Sequence, residues 1–114
     1  MLEADVTAMP FSQTVITENV DMTDSTILGI EKVTADSDDN TLFAVSFDGG
    51  TIWWNYVDSN WVSLSEEQSG MSKAALADIS TDAWALKATT GHYMFRFVLF
   101  EGSYVNSIVV DYLN

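Results

Sequence analysis

The 114-residue sequence has no cysteine, one proline, one histidine and four basic residues. The absence of cysteine excludes disulfides and thiolate chemistry. One histidine without cysteine cannot form a zinc site, and a hydrolase triad would need a placed serine and aspartate as well, so we expect His92 to have a surface or edge role. No apolar run approaches the roughly 20 residues that a membrane helix needs.

The charge of the chain is strongly one-sided, with 17 acidic residues against four basic ones and a formal net charge of −13. A polyanion repels phosphate backbones and anionic lipid surfaces, so we expect neither nucleic acid nor a membrane as a partner. The acidity is compatible with a cationic partner or divalent ions, but solubility alone is the default interpretation. The first residues lack the basic and apolar regions of a signal peptide, and none is predicted.

Aromatic residues are abundant, with 4 Trp, 4 Tyr and 6 Phe, and this composition favours strands over helices. Strand-like segments recur at intervals of roughly 8–12 residues between turn signals, a spacing that predicts an all-β, antiparallel, jelly-roll-like sandwich. The predicted strands cover residues 12–17, 26–33, 42–47, 51–57, 61–64, 93–100 and 104–112. Residues 1–12 are predicted to be an N-terminal arm or lead-in, and residues 13–114 a single domain.

A short helical insertion is predicted around residues 72–87, where the sequence pattern changes. Ser72 and Ser80 each stand at an N-cap position, with an apolar residue before them and another at the fourth helical position, the spacing of a hydrophobic staple. The first of the two segments is also rich in alanine and other good helix formers. Two helical turns are therefore predicted over residues 72–78 and 81–87.

Four aromatic residues on two adjacent predicted strands, Trp53, Trp54, Tyr56 and Trp61, are the candidates for contact with a partner or a glycan. Because side chains alternate along a strand, Trp53 and Trp54 must point to opposite faces, one to the core and one outward. An exposed tryptophan can stack on a sugar ring or anchor a protein interface. The structural alternative is that a loop or a neighbouring subunit covers the outer ring.

The sequence SFDGGTIW, which begins at Ser46, resembles the Asp-box hairpin of sialidases and many unrelated β proteins. Ser46, Asp48, Gly50 and Trp53 match the S-x-D-x-G-x-T-W pattern, and Ile52 departs from its threonine. The resemblance implies a folding element away from any active site, so these residues are predicted to be a structural turn, with a ligand role as the alternative. The carboxylate can accept N–H groups of the turn, and glycine permits the bend.

Oxygen-bearing side chains are concentrated in another turn, where Asp36, Asp38 and Asn40 mimic the first three positions of an EF-hand loop. Thr41 stands where that loop needs glycine, and no glutamate occupies the twelfth position. A solvated turn is the default interpretation, and calcium is the one cofactor considered; otherwise none is expected. No nucleophile–base pair is visible in the sequence, so we do not expect an enzyme.

The longer pattern over roughly residues 26–114 resembles modules of tailed-bacteriophage virion proteins from tail fibres, baseplates and head surfaces. It comprises the strand LFAVSFDGG, a return strand with Trp53 and Tyr56, helical turns around a tryptophan, the strand FRFVLF and the closing strand SIVVDY. The resemblance implies a non-enzymatic structural or adhesion module, made in the host cytoplasm and located on the virion. Its partners would be other virion proteins and further copies of itself, with a trimer as one option. A carbohydrate-binding adhesion module that uses an exposed tryptophan is the alternative.

Overall fold

The computed structural model describes residues 2–7, 13–21, 29–66 and 68–113. These residues form two antiparallel β-sheets and two short helices, which confirms the predicted all-β sandwich with a helical insertion. In chain order the elements are β1 (Leu2–Thr7), β2 (Gln13–Ile16), β3 (Val20–Asp21), β4 (Gly29–Ser37), β5 (Leu42–Ser46), β6 (Trp53–Val57), β7 (Asn60–Leu64), α1 (Lys73–Asp78), α2 (Thr81–Lys87), β8 (His92–Leu99) and β9 (Tyr104–Leu113).

The smaller sheet has the strand order β1-β9-β4, and the larger one has the order β2-β8-β5-β6-β7, with β3 also paired to β8. β8 is therefore an interior strand, bordered by β2 and β3 on one side and by β5 on the other. Its apolar residues are buried on both faces, as the absence of alternation in its sequence predicts. His92 begins the strand, half-buried, opposite Asp21 of β3.

The expectation of a loose N-terminal arm is wrong for its first part, because Leu2–Thr7 forms β1 and pairs with β9 in the smaller sheet. The sequence carries a signal for this strand, since Leu2, Ala4 and Val6 alternate with polar residues. Residues 8–12 of the expected arm lie outside the described residues. β4 likewise runs past its predicted end to Ser37, because its alternating residues remain buried against the core up to that position.

Both helices begin where their serine caps predict. The Ser72 hydroxyl accepts the N–H of Ala75 at 3.2 Å, and the Ser80 hydroxyl accepts the N–H of Ala83 at 3.1 Å. Each serine thus satisfies a backbone donor that the first turn of a helix leaves without a partner. The helices have six and seven residues, and in the described part of the chain no helix has the length and apolarity needed to span a bilayer.

The helices also cover the edge of β4 that does not pair with β9. Lys73 of α1 donates to the carbonyl of Ser37 at 2.8 Å, and Thr81 of α2 donates to the carbonyl of Glu31 at 3.3 Å. An uncovered strand edge offers a row of backbone groups to any other strand. The insertion therefore protects one edge of the smaller sheet.

The core lies between the two sheets and the helices and is rich in aromatic rings. The ring of Phe47 contacts those of Trp61 and Trp84 edge-on, with centroids 5.7 and 6.1 Å apart. Tyr93 of the larger sheet and Tyr112 of the smaller one share a hydroxyl–hydroxyl hydrogen bond that joins the sheets. Burial, and then this hydrogen bond, raises the pKa of Tyr93, so its hydroxyl stays protonated.

The N-cap of α2 allows a direct test of how much the Ser80 capping hydrogen bond contributes to the stability of the protein. We expect Ser80→Ala to lower the free energy of unfolding by about 1 kcal/mol, because one backbone donor at the helix start loses its acceptor. Ser80→Asp, which restores an acceptor at the same position, should stay close to the wild type. Chemical denaturation measures both variants, and equal losses in the two would contradict the capping role.

Candidate interaction site on the outer face of the larger sheet

The strand register assigns each aromatic candidate to one face of the larger sheet. Trp54 pairs with Val45, whose side chain is buried in the core, so Trp54 lies on the inner face. Tyr56 and Trp61, which pair with each other, lie on the same inner face and pack partly buried against the core. Trp53 is thus the one candidate of the four on the outer face, opposite Leu64.

The inner-face candidates already have partners within the protein. The ammonium group of Lys87 lies 3.5 Å from the centre of the Trp54 ring, a cation–π contact. The indole N–H of Trp61 donates to the carbonyl of Ala83 at 2.9 Å. These contacts make Trp54 and Trp61 part of the junction between the larger sheet and α2.

Trp53 is only 8% exposed, because Arg96 and a loop cover the outer face around it. The guanidinium carbon of Arg96 lies 5.2 Å from the centre of the Trp53 ring, and Arg96 is itself 6% exposed. Arg96 donates to the carbonyls of Glu66 and Ser69, both at 3.2 Å, and so attaches the loop after β7 to the sheet. The sequence offers one sign of this role, a single arginine between the apolar residues of β8.

The far end of this loop is fixed by a close backbone approach. Met71 and Phe43 exchange two backbone hydrogen bonds of 2.8 and 2.7 Å, which continue the sheet alongside β5. A Cβ atom at Gly70 would lie 2.6 Å from the Phe43 carbonyl oxygen, so any side chain there would force the two segments apart. Glycine is therefore needed to seat the loop.

Between the loop and the sheet lies a cavity of about 440 Å³. Its walls combine an indole, two aliphatic side chains, three hydroxyls, a carboxylate and a guanidinium. In that order, these groups belong to Trp53, Ile16, Leu64, Thr14, Thr51, Ser65, Glu66 and Arg96. Apolar walls with a few placed polar groups are typical of sites for small polar molecules. Apart from Trp53, these residues are not singled out by the sequence, because β2, β6, β8 and the loop meet only in the folded chain.

Exposed aliphatic side chains lie towards both edges of the outer face. Ile16 is 55% exposed at the end of β2, and Val57 and Val62 are 44% and 45% exposed on β6 and β7. Strand pairing places all three on the same side of the sheet as Trp53 and Arg96. Neither β6 nor β7 contains a charged residue, although the chain as a whole carries a net charge of −13. This surface is suited to contact with an apolar partner surface.

The Ser46–Asp48–Gly50 turn lies beside this face, in the loop between β5 and β6. One oxygen of Asp48 accepts the Ser46 hydroxyl at 2.8 Å and the N–H groups of Ile52 and Thr51 at 3.0 and 3.1 Å. These bonds, led by the one from Ile52, lower the pKa of Asp48 below its ordinary value of 3.8. Gly50 has a φ of 95° and lies against the Trp53 ring, so the turn supports Trp53.

The turn of Asp36, Asp38 and Asn40 is held by hydrogen bonds within the protein, and no group of three His, Cys, Asp or Glu side chains in the described residues could hold a metal ion. The Asp38 carboxylate accepts hydrogen bonds from the Thr41 hydroxyl and from the backbone N–H groups of Asn40 and Tyr104. Each of the two N–H bonds is 3.0 Å long. Burial raises the pKa of Asp38, but these hydrogen bonds outweigh it and the net shift is downward. The Asp38 carboxylate therefore connects the end of β4 to the start of β9.

In comparisons with known proteins, no family model matches this sequence, and no curated protein or solved structure matches it either.

The low pKa of Asp48 makes the turn's contribution to stability dependent on pH. Because the folded-state pKa lies below 3.8, the stabilisation is complete above that pH and is lost as the pH falls through the folded value. We expect Asp48→Asn to lower the free energy of unfolding at pH 7 by up to about 1 kcal/mol, since its bonds lose charge assistance. Urea denaturation between pH 7 and about pH 2.5 should show this difference shrinking as the pH falls.

Asp111→Asn removes the same charge from an exposed position of β9 and serves as the control. It should leave stability within about 0.5 kcal/mol of the wild type. An Asp48→Asn deficit that stays constant down to low pH would show that the carboxylate charge is not what stabilises the turn.

Proposed function

We propose that this chain is a structural module of a tailed-phage virion, acting on the head surface or in a tail, fibre or baseplate by protein–protein contact alone. The observation that carries the proposal is the exposure of three aliphatic side chains on the outer face of the larger sheet, Ile16 at one edge and Val57 and Val62 towards the other. Apolar surface of this kind gains free energy when a partner covers it. The pattern resemblance over roughly residues 26–114 supplies the virion setting.

The charge distribution supports the same proposal. Three of the four basic residues have contacts within the protein: Lys73 with Asp39 at 3.3 Å, Lys87 with Trp54, and Arg96 with the loop carbonyls. The remaining surface is predominantly acidic and favours solubility over non-specific association. Charge repulsion between copies then favours contact through the part of the surface that carries no charge.

Quantitative mass spectrometry of particles purified from a culture that produces the chain tests the proposal. We expect many copies per particle, in a fixed ratio to the other particle proteins. Ile16→Asp should reduce incorporation at least several-fold, because it introduces a charge at a 55% exposed position of the outer face. Leu86→Asp, at a 76% exposed position of α2, makes the same chemical change elsewhere and should be incorporated normally. A chain that is absent from particles and occurs as a free monomer would overturn the proposal.

A carbohydrate-binding module is the second candidate, and the cavity beside Trp53 is the observation that favours it. Hydroxyls, a carboxylate and a guanidinium beside an indole provide both the polar and the apolar contacts that a sugar ring uses. Trp54, Tyr56 and Trp61 are packed against the core and do not support this function. If the chain binds sugars, the contact would therefore lie in this cavity.

Affinity electrophoresis and NMR titration against a panel of neutral and acidic saccharides test the second candidate. Binding should be roughly tenfold weaker in Glu66→Ala, which removes one polar contact of the cavity. Glu18→Ala removes an exposed carboxylate that does not line the cavity and should bind as the wild type does. Absence of binding at millimolar sugar, or equal effects of the two changes, would exclude the cavity as a sugar site.

A further inference from the structure

β7 is an edge strand with backbone groups directed away from its sheet. The β6–β7 hairpin closes with the two-residue turn Asp58–Ser59, whose φ angles are 51° and 64°. In a hairpin of this type the residues flanking the turn, Val57 and Asn60, form a hydrogen-bonded pair, and hydrogen-bonded pairs then alternate along the ladder. The N–H and C=O groups of Trp61 and Ser63 therefore point outward. In the described part of the chain, no backbone hydrogen bond beyond the β6–β7 ladder engages them.

The other sheet edges carry protection that β7 lacks. The edge of β4 is covered by the helices, β1 has an irregular register with β9 between Glu3 and Val6, and the β2–β3 edge includes Glu18 and Asp21. β7 has no charged residue, no proline and an unbroken register with β6, which is itself uncharged. Proteins ordinarily protect an edge with charges, proline or bulges to prevent pairing. An edge without these features is open to another strand.

A second copy of the same chain is the occupant that this edge fits. Two chains that each carry a net charge of −13 repel, and the five residues of β7 add no charge of their own to the contact, although Asp58 and Glu66 lie just beyond the two ends of the strand. The pattern of outward groups is also self-complementary. If Val62 faces Val62 of the second copy, then Trp61 lies opposite Ser63 of the second copy, and each such pair exchanges two hydrogen bonds. All outward groups of both strands are then satisfied.

We propose that β7 pairs in antiparallel fashion with β7 of a second copy across a two-fold axis at Val62, so that the two larger sheets form one continuous sheet. The Val62 side chains, each 45% exposed in the single chain, then meet on the outer face. This inference rests on the proposed function and names one contact through which the module assembles. The symmetry closes at two copies, so the product is a dimer and not the trimer considered from the sequence.

An interface of two five-residue strands is smaller than a standard stable interface, so the isolated dimer is weak. Sedimentation velocity from about 10 μM to about 1 mM covers the range in which such an association is measurable. About 0.5 M NaCl limits charge interactions to roughly 4 Å, so that the net charge does not mask the contact. We expect a monomer–dimer equilibrium under these conditions.

Charge variants at the axis identify the pairing. Val62→Lys places two like charges directly opposite each other, as does Val62→Glu, so each variant alone should dimerise at least tenfold more weakly. An equimolar mixture of the two should recover the dimer, because opposite charges then face each other. Leu86→Lys is the control, since Leu86 is 76% exposed on α2, away from this edge, and it should dimerise as the wild type does.

Near-UV circular dichroism confirms that each variant is folded before its association is measured. A wild-type chain that stays monomeric to about 1 mM, a trimer, a dimer unaffected by both Val62 variants, or a mixture that fails to recover the dimer would each overturn the pairing. Any of these results combined with incorporation into particles would leave the proposed function standing. Absence from particles combined with a Val62-dependent dimer would retain the pairing and overturn the virion role.

Discussion

Strand β8 has almost no contact with solvent on either face, and most of the molecule is arranged to keep it so. Its inner face, with Tyr93, Phe95 and Phe97, is covered by the smaller sheet and the helices. Its outer face includes the buried Arg96, whose charge is costly to enclose unless its donors are satisfied. The loop carbonyls of Glu66 and Ser69 supply acceptors, so burying β8 also requires a loop across the outside of the sheet. The cavity beside Trp53 is a consequence of that loop.

The same arrangement determines what remains available for contact. The helices that complete the core also cover the edge of β4, and most of the few basic side chains take part in internal contacts. Most acidic residues in the described part of the chain are solvent-exposed, whereas β6 and β7 carry exposed valines and no charge. A surface of this kind separates solubility from recognition, because the strands β6 and β7 add no charge to the repulsion between copies, apart from Asp58 in the turn that joins them. Contact through that hairpin is compatible with an assembly module in which many weak contacts act together.

Local sequence signals predict a large part of this fold, because they depend only on neighbouring residues. The serine caps locate both helices to within a residue, and alternation identifies β5 and the two faces of β8. β1 has the same kind of signal in Leu2, Ala4 and Val6, but a short alternating segment at the start of a chain is easily taken for an arm. Whether this segment forms a strand depends on its pairing with β9, which lies at the other end of the chain.

The candidate site depends on contacts that sequence patterns do not encode. Alternation shows that Trp53 and Trp54 face opposite ways, but the pairing of Trp54 with Val45 is needed to tell which one faces the core. Arg96 contacts residues about 30 positions earlier, and Asp38 binds the N–H of Tyr104, 66 positions later. The second contact explains why an EF-hand-like spacing gives a structural turn, since the carboxylate already has donors within the protein.

Amide hydrogen exchange at Trp61 and Ser63 tests the central claim most directly, because it reports whether the edge of β7 is open in the single chain and closed in the assembly. At low micromolar concentration these two amides should exchange at nearly unprotected rates, while those of Asn60, Val62 and Leu64, which face β6, exchange slowly. As the concentration approaches about 1 mM, protection should appear at Trp61 and Ser63 as dimers form. Protection at every concentration would show that the edge is already covered, and absence of protection at every concentration would show that no second strand pairs there.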